Sequence, residues 1–263
     1  MSEAIVITSG KGGVGKTTVV AHVGTALAKR GKKVAVIDAD IGLRNLDIIL
    51  GLENRIVYDL VNVIEGACKL KQALIRDKRV PGLYLLPASQ SRTKEAVTPE
   101  QMKKLCDELR QDFDYILIDS PAGIEGGFRN ALAGADRAIV VTTPHVSAVR
   151  DADRIIGLIE AAEKGIPQLI INRLDMDIVK KGEMLDQDDV IEILAVRLLG
   201  IVPEDEGVLS ASNRGESVVM NGKYRSGEAF NRIAGRIEGE DLPFMDLDFN
   251  TGFMQKLKKF VTK

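Results

Sequence analysis

The sequence predicts an α/β protein: a doubly wound, mostly parallel sheet with helices on both faces. Three observations carry this. Short apolar runs rich in Val and Ile alternate with segments of helical period along most of the chain. The runs are apolar at every position, as in strands covered on both sides. A glycine-rich turn, "SGKGGVGKTT" at 9–18, follows the first run directly. Aromatics make up only 4% of the 263 residues, so the core must be built from Val, Ile, Leu and Ala.

In order, "AIVITS" reads as the first strand and "KKVAVIDAD" as the next, after a helix of about fourteen residues. "LYLLPAS", "YILIDSP", "RAIVVTTP", "QLIINR" and "LLGIVPE" complete the series. The segments between them are helical. One begins at Thr98, an expected N-cap, with Pro99 at the first helical position. Another is expected to be capped by Ser147 and to end at Gly165. A further helix is expected from about Gly227 to Arg236. Repeated β–α–β order requires one parallel sheet with right-handed crossovers. The expected organisation is a nucleotide-loop domain over 1–240, an acidic linker over 241–251 and an amphipathic helix over 252–263.

Composition narrows the function. The net charge is −2, so the chain as a whole does not attract polyanions, and no nucleic-acid partner is expected. Cys68 and Cys106 form no CxxC and indicate neither a disulfide framework nor a metal cluster. His22 and His145 have no acid or thiol partner at a recognisable spacing and read as packing or surface residues. No signal peptide and no run of membrane-spanning length is evident, so a cytoplasmic protein is expected.

Gly10, Gly15, Lys16 and Thr17 match G-x-x-x-x-G-K-[ST], with a strand before and a helix after. Glycines let backbone N–H groups converge on phosphate oxygens, and the helix N-terminus adds its positive end. The nucleotide loop therefore comprises Gly10, Lys11, Gly12, Gly13, Val14, Gly15, Lys16, Thr17 and Thr18. Lys16 suits β and γ phosphate oxygens, and the Thr17 hydroxyl suits Mg²⁺. Asp38, Asp40 and Asp119 stand at strand ends, the edge where such sheets bind ligands. Asp119 fits an acid that reaches Mg²⁺ through water. One lysine is surplus: Lys11, five residues before Lys16.

With Lys11 as its first lysine, the loop resembles the deviant Walker A motif of the ParA/MinD group of ATPases. The resemblance covers nearly the whole chain, through "DADIGLRNLDIILGLENRIVYDLVNVI", "LPASQ", "IDSPAGIE", "VSAVRDADRIIG", "GIVPED" and "VLSASNRGE". It implies that Lys11 reaches across a homodimer closed around two ATP molecules and stabilises the transferring phosphoryl group of the other subunit. It implies that Asp40 lies in switch I and orients or activates the attacking water. Asp38 and Asp119 would serve Mg²⁺, and Asn45 would meet the partner subunit. Asn172 and Arg173, with the loop around Pro203 and Asp205, would frame the adenine. "INRLD" superficially resembles a guanine-reading motif, but Arg173 stands where its lysine belongs, which ranks GTP below ATP. Arg150, Asp151, Asp153 and Arg154 read as a solvated helix face, which the resemblance assigns to the surface for the division inhibitor MinC and the regulator MinE.

On a helical wheel, Phe253, Met254, Leu257, Phe260 and Val261 fall within an arc of about 120°. Lys256, Lys258, Lys259 and Lys263 lie outside it. That pattern suits a helix lying in an anionic lipid interface, or one packing on its own domain. The family carries a membrane-targeting helix at this place, which implies a peripheral protein on the inner face of the membrane. One such helix binds marginally, and two on one dimer gain about 10²–10⁴ in avidity. The resulting expectation is an ATP-driven membrane switch that recruits a division inhibitor. The alternatives are a flagellar-number relative with the same loop and tail, a ParA-type DNA-partitioning ATPase, or a reductase or cluster-assembly carrier on this fold.

Overall fold

The computed structural model describes residues 2–220 and 222–247. The chain opens with β1 (Glu3–Thr8), α1 (Lys16–Lys29), β2 (Val34–Asp38) and the single-turn α2 (Leu46–Ile49). Two further short helices follow, α3 (Leu60–Ile64) and α4 (Leu70–Ala73), then β3 (Ile75–Arg76) and β4 (Leu83–Leu86). The middle comprises α5 (Pro99–Leu109), β5 (Tyr115–Asp119), α6 (Gly126–Ala133), β6 (Arg137–Thr142) and α7 (Val146–Ala161). The last third holds β7 (Gln168–Leu174), α8 (Met176–Lys180), α9 (Gln187–Leu194), β8 (Leu198–Pro203), α10 (Glu206–Ser212) and α11 (Arg225–Ile237).

The eight strands form one sheet in the order β3-β4-β2-β5-β1-β6-β7-β8. All pairs are parallel except β3 with β4. All seven strands expected from the sequence are present. The eighth, β3, has two residues, too few for any periodicity to reveal. Successive strand residues feed two cores. Ala4 and Val6 face one layer with α3 to α7 and α9, whereas Ile5 and Ile7 face the other with α1, α2, α10 and α11. Apart from the two-residue β3, the strands are largely buried on both sides, which is why their sequences are mostly apolar rather than alternating.

The Thr98 cap is present: its Oγ accepts the Gln101 N–H at 3.3 Å, and the Gln101 amide oxygen accepts the Thr98 N–H at 2.8 Å. The expectation for Ser147 is corrected. Helix α7 starts at Val146, two residues earlier than a cap at Ser147 would set it, after an extended His145, and the Ser147 hydroxyl caps nothing. The helix also stops at Ala161, and Gly165 takes φ 73° in the turn beyond it.

Residues 242–246 lie back along α11, held by three arginines from one face. Arg236 donates to the Leu242 carbonyl, Arg232 to Pro243 and Arg225 to Asp246, at 2.8–3.1 Å. The Arg236 guanidinium also sits 4.0 Å from the Phe244 ring centroid. The chain is thereby returned to the N-terminal end of α11, which is tied to Asp205 through Ser226. Within the described residues no helix is long and apolar enough to cross a membrane. The tail residues 253–261 lie outside the described residues.

Candidate functional site: a phosphate cradle at the sheet's switch point

Strand β1 lies between β5 and β6, where the sheet's winding reverses, and the loop 9–15 leaves its C-terminal end there. Ligands bind at such points because successive crossovers leave on opposite faces and open a crevice. Gly15 takes φ 94°, a left-handed conformation that costs glycine little, and α1 starts at the next residue. A side chain at Gly15 would also overlap the Asn172 amide. That amide donates to the Val14 carbonyl at 2.8 Å, so β7 braces the loop. Gly10 meets α7 instead. A Cβ there would overlap the Asp151 carbonyl, so helix backbone and loop backbone are in direct contact.

Lys16 is 8% exposed. Around it stand Thr17 and the three predicted aspartates. Asp38 and Asp119 are paired in register at the ends of β2 and β5, and both are buried. Burial raises Asp38 to about 6, against three backbone N–H groups that hold it down. These belong to Leu46 and Asn45, each at 3.1 Å, and to Asp40 at 3.0 Å. Asp119 is pushed up to about 8, by burial first and then by the charge of Asp38; Lys16 and the Thr17 hydroxyl oppose the shift. Its Oδ1 is buried without a hydrogen-bond partner. Asp40 is half-buried, raised by burial and lowered by Lys16 and Lys94. An orphaned carboxylate oxygen beside a hydroxyl and a second carboxylate is a donor set for a hard cation. Thr17, Asp38 and Asp119 are therefore the residues that would hold Mg²⁺.

Lys11 stands apart from this cluster. It is exposed, and its ammonium donates to the Ser147 hydroxyl on α7 at 2.9 Å. Asn45 is exposed, with its backbone N–H bound to Asp38. On the other side of the loop, Thr18, Asn172, Arg173, Pro203 and Asp205 line one cavity of about 730 Å³. Arg173 occupies a β-bulge at φ 60° between β7 and β8. The Asp205 carboxylate is already engaged, accepting from Gly207 N–H at 2.8 Å and from the Ser226 hydroxyl at 2.7 Å. Sequence reasoning did not single out Ile49, Leu209 and Phe230 on the cavity wall, or Lys94 near Asp40. None carries a local motif; only the fold places them there.

Cradle, buried lysine and paired carboxylates at the switch point define a P-loop nucleotide-binding protein. Residues 5–218 match the CobQ/CobB/MinD/ParA nucleotide binding domain. The chain is 56% identical to the septum site-determining protein MinD of Bacillus subtilis, over 99% of this chain and 98% of that one. Its structure resembles the MinC:MinD cell division complex of Aquifex aeolicus, with TM-score 0.87 and 49% identity over 93% of this chain and 98% of that one. It also resembles the MinD of Pyrococcus horikoshii complexed with Mg-ADP, with TM-score 0.82 and 28% identity over 90% and 96%. The chain belongs to the CobQ/CobB/MinD/ParA nucleotide-binding family, in its MinD branch.

Proposed function

We propose that the chain is a Mg²⁺-dependent ATPase that acts as a switch in placing the division site. It dimerises around ATP, docks on the inner face of the membrane through its last twelve residues, and recruits the inhibitor MinC. Hydrolysis returns it to the cytoplasm, and MinE is a candidate stimulator. The observation that carries this reading is the division of labour between two lysines. Lys16 is buried in its own loop, whereas Lys11 is exposed and, among the described residues, its ammonium bonds to a neutral hydroxyl. A phosphate oxygen of a second subunit offers a stronger, charge-assisted partner. Names of relatives support the role in division-site placement and MinC as a partner: proteins about half identical to this one are septum-site proteins, and one is solved with MinC.

In hydrolysis Lys16 and the loop N–H groups bind β and γ oxygens, and Lys11 sets positive charge against the negative charge on the transferring phosphoryl oxygens. Asp40 orients the attacking water. Thr17, Asp38 and Asp119 would hold Mg²⁺, which would supply charge neutralisation at the phosphates. The cavity beyond Thr18 receives the adenine.

The test is co-sedimentation with anionic liposomes in Mg-ATP against Mg-ADP at fixed salt. Binding in ATP alone is expected. Lys11→Ala should abolish the difference while still binding nucleotide. Equal binding in both nucleotides would remove the switch. Binding in neither would make the tail a packing element, with DNA the next surface to try.

A further inference from the structure

The loop between β3 and β4 holds a charged node that no nucleotide motif accounts for. Asp77 is 2% exposed, and its Oδ1 accepts the Arg79 N–H at 2.8 Å, closing a tight turn. The same carboxylate pairs with the Arg79 guanidinium, Oδ2 lying 3.1 Å from Nη2. Arg79 then reaches away from its own hairpin to two other segments. Nη1 donates to the Gly215 carbonyl at 2.7 Å, and Nη2 donates to the Leu50 carbonyl.

Those two segments both border the base cavity, one through Ile49 and the other through α10. Leu50 ends the segment 40–51, whose beginning is held by Asp38 through the N–H groups of Asp40, Asn45 and Leu46. Gly215 follows α10, the helix that walls the cavity on the base side. The two backbones touch where Arg79 joins them. A Cβ at Gly51 would lie 2.8 Å from the Gly215 oxygen, so neither residue tolerates a side chain without separating the segments. Beneath the junction is a cleft of about 290 Å³, lined by Thr25, Leu50, Asp77, Arg79 and Met220 among others. The junction thus lies between the edge of the core at Leu50 and an open cleft. A planar guanidinium can hold two carbonyls and a carboxylate at once in a fixed geometry.

We propose that Arg79 is a positioning residue that couples occupancy of the base cavity to the placement of segment 40–51, and hence of Asp40 and Asn45. This rests on the reading of loop 10–18 as the phosphate site and of the adjoining cavity as the base site. Filling the cavity settles α10, the Gly215 carbonyl follows, and Arg79 carries that position to Leu50. Segment 40–51 is then held at both ends, by Asp38 at its start and by Arg79 at its finish.

The experiment compares Mg-ADP with Mg–inorganic diphosphate, which fills the phosphate cradle but not the base cavity. Amide hydrogen exchange is followed in the peptide spanning 41–50, whose N–H groups include those of Asn45 and Leu46, both bound to Asp38. In the full-length protein ADP should slow exchange at least about fivefold more than diphosphate does. In Arg79→Ala that ratio should fall to one while protection by diphosphate persists. Arg79→Lys keeps the charge beside Asp77 but lacks the fork, so it should also lose the ratio, at a melting temperature close to the parent's. It preserves the test if the alanine variant fails to fold. A ratio retained in Arg79→Lys overturns the proposal, as does a parent protein that responds equally to both ligands. Loss of diphosphate protection in a folded variant would make Arg79 a general structural prop and overturn it too. No protection by either ligand in the parent would instead overturn the phosphate-site reading itself.

Discussion

His22 lies wholly inside the layer between α1 and α11, 5.0 Å from the Phe230 ring centroid, with Nδ1 2.9 Å from the Ser217 hydroxyl. Burial lowers it to about 3. The folded protein therefore keeps it neutral, whereas the unfolded chain protonates it below about 6.5. The unfolded state then binds more protons between these values, so stability falls as pH falls through that window. At pH 5 this one residue should cost about 2 kcal/mol relative to pH 7. His22→Gln, measured by urea unfolding at both pH values, should lose about that much less than the parent. An equal loss in both proteins would place the acid sensitivity elsewhere. The Cys106 thiol, in the core layer on the other face of the sheet, is likewise governed by burial, which pushes it up to about 12 and leaves it inert as a nucleophile.

At the scale of elements, the nucleotide loop is shaped from outside as much as from within. Helix α7 presses its backbone on Gly10 and offers Ser147 to Lys11, while β7 sends Asn172 to Val14. Ser147 illustrates what sequence spacing misses. Its residue type suits an N-cap, but the chain enters the helix two residues earlier, and the freed hydroxyl takes a partner 136 positions away. Gly10→Ala tests the contact. The added methyl has no room against the Asp151 carbonyl, and overpacking of this kind costs about 1–3 kcal/mol. The melting temperature should drop by roughly 3–10 °C, with weaker nucleotide binding. A variant that melts and binds like the parent would show that α7 yields freely.

At the scale of the molecule, the sheet places the phosphate loop at its centre and two cores on its faces, and α11 closes the second core beside α1 and β8. The three arginines of α11 hold residues 242–246 along that helix and bring the last described residues back toward its N-terminal end. The segment that follows is proposed to be the membrane contact. Removing residues 252–263 should abolish lipid binding in ATP and leave ATP-driven dimerisation intact, as followed by co-sedimentation and light scattering. Sedimentation of the shortened protein with liposomes would put the contact on the folded domain.

The sequence by itself determined the parallel sheet, seven of its eight strands, the phosphate loop and the three strand-end aspartates. These features are written in local patterns, because apolar runs and a glycine-rich loop between strand and helix act over a few residues. Only the tertiary structure decided which side chains meet. Asp38 faces Asp119 because β2 and β5 are neighbours in the sheet while lying far apart in the chain. Lys11 finds Ser147, and Arg79 finds Leu50 and Gly215, for the same reason. Such contacts follow from how layers pack over long sequence separations, and no periodicity within a single segment encodes them.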